Sequence, residues 1–282
     1  MAVVVLESAL YALLLFSAST TLYLRFSRHE VPNLMVWNPV VLFTILISAT
    51  SGAHWILTTV RFFYAFLCSA DIERFYLDNS QETQTAMSLL CITSVFIGDA
   101  AIIHRLWLIW NRSLAVIILP VVSSFGLLII GCARTYLIRR HLPMPVGHWA
   151  EAGWTMTLVN NLYCTGLIVW KIWKTKHTVE NSLGGGTLVP VLLVLLESAA
   201  VWTIWVLLFG VTSELGSPLQ IIMGDLSAVM VGIVNVIIYL RVELQCARPD
   251  GLDRTGVVMT SSISIGPYYM NTVSTQIPHV TA

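Results

Sequence analysis

Seven predominantly apolar stretches, at 2–24, 39–61, 87–109, 114–137, 154–173, 187–210 and 219–241, constrain this chain more than any other feature of it. Each is long enough, at about 20 residues, for a helix to cross a bilayer. Runs this long and continuous favour helices over a barrel, whose strands are short and alternating. The composition agrees: 56% of the residues are hydrophobic and 11% charged, where a soluble domain carries about a quarter charged. Such a chain cannot coat a water-soluble globule of this size, so lipid is the expected solvent. The expected fold is all-α: a polytopic membrane protein with a bundle of seven transmembrane helices, occupying residues 1–245. The fifth span is the weakest, because Asn160 and Asn161 interrupt it.

The basic residues orient the bundle. No Lys or Arg precedes the first span, and its apolar stretch exceeds a signal-peptide h-region, so it reads as a retained helix. With the N-terminus outside, ten of the fifteen Lys and Arg fall inside, including every Lys. The positive-inside bias thus favours N-out, C-in. Arg61, Arg74, Arg134, Arg139 and Arg140 fall outside, with the acidic segment 71–82. The sequon at Asn111 falls in an inside loop, where it would stay unmodified. The connector LGGG at 183–186 reads as flexible, and residues 246–282 as a disordered cytoplasmic tail. The five cysteines give no disulfide framework, and Cys246 reads as an ordinary thiol before a palmitoylation site.

Charged groups at bilayer depth are costly and turn toward the bundle interior. Depth along each span sorts them into two groups. Glu7, His54 and Asp225 lie in the outer third; Asp99, Asn161 and Glu197 lie near the midplane. These six are the candidate ligand-binding residues. Glu7 is shallow enough to reach interfacial water. In a sequential ring of helices, spans one, two and seven would be neighbours, and spans three, five and six would gather opposite. Three stripes follow the helical repeat: Asp225, Ala228, Gly232, Asn235, Tyr239; Ser51, His54, Thr58, Arg61; and Pro190, Glu197, Ala200, Ile204. Interhelical packing and hydrogen bonding explain each as readily as ligand contact does. Arg105 is expected to reach for the interface, and Arg134 and Arg61 to pair with Glu7 or Asp225 or to extend outward. Arg105, Arg112, Lys171, Lys174 and Lys176 would present the inner face to a cytoplasmic partner or to anionic lipid.

The chemistry excludes several classes. Every lysine lies within 171–176, so the last span offers no Schiff base for retinal. Only His54 and His104 lie in spans, about 15 Å apart in depth at 1.5 Å rise per residue, so no zinc site is expected. Nucleophile elbows, P-loops and dinucleotide motifs are absent. The expectation is a non-enzyme without metal, cofactor or nucleic acid. A receptor-like sensor of a small molecule is favoured; a proton-coupled or small-solute transporter using a midplane carboxylate is the alternative. The tetrapeptide LeuGluSerAla recurs at 6–9 and 196–199, but at different depths, and does not make an inverted repeat. Receptor signatures are faint: HisArgLeuTrp at 104–107 closes span three, and span seven holds Asn235 and Tyr239 four apart without an intervening Pro.

Four segments, at 48–66, 98–120, 158–175 and 196–209, carry a resemblance. Their most specific pieces are AHWILTTVR, GDAAIIHRLWLIW and NNLYCTGLIVWKIW. Together they resemble a large family of seven-span membrane proteins from mushroom-forming fungi. The resemblance implies a seven-helix bundle in a fungal membrane and an orphan, loosely receptor-like role without a known ligand; the expected location is the plasma membrane. His104 stands where an aromatic residue often precedes the span-three Arg of that family.

Overall fold

An apolar solvent satisfies no backbone N–H or C=O, so each span must close its own hydrogen bonds as a helix. The computed structural model describes residues 2–28, 38–68, 75–76, 81–140, 146–180, 188–217 and 219–247, with the side chains of 28, 68, 146–151, 176–180, 188–192, 194 and 245–247 excepted. The tail beyond 247, the 183–186 connector and most of the acidic segment lie outside the described residues. Seven long helices are present among them: α1 (Ala2–Arg28), α2 (Pro39–Cys68), α3 (Glu82–Ile109), α4 (Leu114–Arg139), α5 (Val146–Glu180), α6 (Leu188–Glu214) and α7 (Leu219–Ala247). Six of the seven are long and apolar enough to cross a membrane. The exception is α5, whose hydropathy Asn160 and Asn161 depress.

Each helix packs on its neighbours in sequence, and α7 packs back on α1, closing a ring. The helix starts of α1, α3, α5 and α7 share one end of the bundle with the ends of α2, α4 and α6, called here the first end. Inside the ring α7 also meets α2 and α3, and α3 meets α5. The backbones of α3 and α6 do not approach each other closely among the described residues. α7 is the central pillar, with 56% of its apolar segment buried against 11% for α4.

Small residues permit the close approaches. A Cβ at Gly232 of α7 would lie 2.9 Å from Ile47 and 3.0 Å from Leu14, so α7 sits directly against α1 and α2. A Cβ at Gly98 of α3 would overlap Val231. Around these contacts Leu14, Ala18, Val229, Ile233 and Val236 form one buried cluster. Trp202, Val206, Val231, Val234 and Ile238 form a second, between α6 and α7.

The outer surface is apolar. Ile118, Val122, Phe125 and Ile129 recur at 4, 3 and 4 on α4 and are all exposed. Polar side chains such as Ser51, His54, Asp99 and Asn235 lie inside. Apolar faces outward and polar groups inward are the arrangement of a multi-pass membrane protein. Pro120 within α4 removes the N–H that would bind the Val116 carbonyl. That carbonyl accepts instead from the Tyr163 hydroxyl of α5, at 3.3 Å.

Candidate functional site

Three of the six expected residues lie near one another at the first end, between α1, α2 and α7, and two of them are in contact. His54 Nδ1 lies 2.8 Å from Glu7 Oε1, and the two side chains are 1% and 0% exposed. Asp225 of α7 is within electrostatic reach of both and of Arg61. Ser51 Oγ donates to the Ala228 carbonyl at 2.9 Å, and Trp55 Nε1 to Ser8 Oγ at 2.9 Å. Tyr11 stacks on Trp55 with centroids 5.3 Å apart. Glu7 is therefore sealed from interfacial water, contrary to the expectation from its depth, because α2 and α7 cover it. Arg61 is buried as well and lies against Phe75 and Tyr76, 5.5 and 5.4 Å from their ring centroids.

The three midplane residues do not meet. Asp99 of α3 accepts from Ser124 Oγ of α4 at 3.3 Å, and Ser124 Oγ accepts from Asn160 Nδ2 of α5 at 3.2 Å. Cys164 Sγ donates to Asn160 Oδ1 at 3.8 Å. The companion of Asp99 is thus Asn160, not Asn161. One residue on, and about 100° around the helix, Asn161 turns to α6 and donates to Thr203 Oγ1 at 2.8 Å. Glu197 leaves the interior altogether. With Ala200 and Ile204 it forms the exposed face of α6, and it pairs with Arg241 of α7. These three members of the stripe share a face, and it points outward; the Pro190 side chain lies outside the described residues.

The basic residues divide. Arg105 does not reach for the interface. Its Nη2 donates to the Asn235 carbonyl at 3.2 Å, and its guanidinium lies 4.1 Å from the Tyr239 ring centroid. Arg112, Lys171 and Lys174 gather at the opposite end over Trp107, Trp110 and Trp170, at 5.6, 5.3 and 5.8 Å. The side chain of Lys176 lies outside the described residues. Asn111 and Arg112 carry φ of 51° and 62°, which turns the chain tightly between α3 and α4.

The principal cavity contains none of the six expected residues. It measures about 180 Å³ and lies among α3, α4, α5, α6 and α7, in the half of the bundle nearer the first end. Trp154, Trp202, Trp205 and Phe209 supply its aromatic wall; Cys91, Thr157 and Ser227 add polarity; Arg134 is the one charged residue among its described lining. Thr157, Ser227 and Trp205 spend their donors inside the bundle, on Gly153 O, Met223 O and Ser227 Oγ. Cys91 Sγ donates to the Gly224 carbonyl at 3.7 Å. Arg134 Nε and Trp154 Nε1 are buried and have no acceptor. Arg134 therefore joins neither Glu7 nor Asp225.

Sequence reasoning missed this site because it followed acids. The available signal was aromatic: Trp202, Trp205 and Phe209 recur at 3 and 4 on one face of α6, and Gly131 and Arg134 align on α4. Among the described residues no group of three His, Cys, Asp or Glu is disposed to hold a metal ion. No protein-family model, curated protein or solved structure matches the chain.

Proposed function

We propose that this chain is a seven-span plasma-membrane protein, N-terminus outside and C-terminus inside, that senses a small molecule in its outer half. The fungal seven-span family is its proposed kin, on the four segments that resemble it. The cavity is the observation that carries the reading. In this orientation it opens among the outer halves of five helices. Toward the inner end Val231, Val234 and Ile238 of α7 pack with Trp202 and Val206, and beyond them a small cavity of about 20 Å³ lies between Val234, Ile238, Arg105 and Asn161. A pocket narrowing to so little space suits binding without passage. Arg105 supports a link to the inner side, since it ties α3 to α7 through Asn235 and Tyr239. The cationic aromatic patch of Arg112, Lys171 and Lys174 would face a cytoplasmic partner or anionic headgroups.

Glu197 gives the transporter alternative little support, since it lies on the outer surface of α6. Asp99 is the observation that keeps that alternative: a buried carboxylate held by the neutral Ser124 and Asn160. Reconstituted liposomes separate the two. The receptor reading expects no proton or solute flux, together with ligand-dependent recruitment of a cytosolic partner. Flux abolished by Asp99→Asn would overturn it in favour of transport.

A further inference from the structure

We infer that the cavity takes a small carboxylate bearing one apolar ring, with the carboxylate on Arg134 and Trp154 and the ring among Trp202, Trp205 and Phe209. This rests on the reading of the cavity as a ligand site and adds the class of ligand.

Three observations converge. The first is charge. Arg134 is the one charged residue in the described lining, and no carboxylate among the described residues lines the cavity with it. Every described ion pair in the bundle lies elsewhere: Arg25 with Glu243, His54 with Glu7, Arg139 with Glu82 and Arg241 with Glu197. The second is hydrogen bonding. Within the described lining two buried donors, Arg134 Nε and Trp154 Nε1, lack acceptors, whereas the hydroxyls and thiol of the wall are satisfied within the bundle. What is missing is an acceptor with more than one lone pair, and a carboxylate, acceptor-only when ionised, supplies it. The third is size and surface. About 180 Å³ exceeds only modestly the engineered cavity of about 150 Å³ that holds benzene. One ring with a short acidic arm fits; a long acyl chain does not. Indole and phenyl walls favour an aromatic ring through offset or edge-to-face contact.

The test uses the full chain in nanodiscs of zwitterionic phosphatidylcholine. Phenylacetate, 2-phenylethanol and 2-phenylethylamine are titrated against intrinsic tryptophan fluorescence. Phenylacetate is expected to change the emission saturably and to bind at least about tenfold more tightly than 2-phenylethanol, the advantage of a charge-assisted bond. Arg134→Gln is expected to erase that advantage, and Arg134→Lys to retain part of it. The comparison of probes on the unaltered protein decides the matter even where the variants do not fold. Equal affinity for the alcohol would overturn the carboxylate and leave the cavity a ligand site. No saturable response to any probe would overturn the assignment. Loss of phenylacetate binding when phosphatidylglycerol is added would assign Arg134 to a lipid headgroup and also overturn it. Flux in liposomes would overturn the receptor reading while leaving carboxylate binding intact.

Discussion

At the scale of single residues, polar side chains that share a helical spacing do not share an environment. Ser51, His54, Thr58 and Arg61 recur at helical spacing, and all four are buried. That stripe could be read because α2 is apolar on its other faces. α6 is apolar on every side, so nothing in its pattern told whether Glu197 faced inward. Asn160 and Asn161 are adjacent, and only packing decides which one meets Asp99. The difference between the two LeuGluSerAla acids is now physical. Glu7 is sealed with His54, and Glu197 is 62% exposed beside Arg241. His54→Ala would leave the Glu7 carboxylate buried without its partner, and should cost about 3–5 kcal/mol. Glu197→Gln removes only an exposed pair, worth at most about 1 kcal/mol. Thermal unfolding of the two variants in detergent should therefore separate widely. Equal shifts would mean that Glu7 and His54 are solvated.

At the scale of elements, all seven helices were legible, because backbone satisfaction in lipid leaves a long apolar run no alternative. Their ends were less so. α5 extends over Val146–Glu180 where apolarity alone marks 154–173, since a helix continues past the apolar layer wherever propensity permits. The central place of α7 was not legible either, as it arises from which helices have small residues to admit it. Gly232→Leu would drive side-chain atoms into Ile47 and Leu14, and should destabilise by about 1–3 kcal/mol. The same change at Gly166, which has no neighbour within 4 Å of an added Cβ, should be nearly silent. Between α4 and α5, Tyr163→Phe would strand the Val116 carbonyl that Pro120 leaves open. The expected loss is about 1–3 kcal/mol, read as a lower unfolding midpoint. An unchanged midpoint would mean that another donor serves that carbonyl.

At the scale of the whole molecule, the proposed function depends on which end of the bundle faces out. The cavity lies in the half nearer the first end, which holds the start of α1, and the cluster of Arg112, Lys171 and Lys174 lies at the other end. Lysines and arginines near span ends resist translocation, whereas acids weigh little, so the end with the lysine-bearing cluster should stay in the cytosol. Burial and hydrogen bonding cannot decide this, because a bundle packs identically either way up. Glycosylation can, since acceptor sites are modified only on the lumenal or outer side. An acceptor engineered into the 71–82 segment should be modified in cells, while the native sequon at Asn111 stays bare. The opposite pattern would turn the cavity toward the cytosol. Any ligand would then have to be an internal metabolite, and Arg134 would select among cytosolic acids instead of external ones.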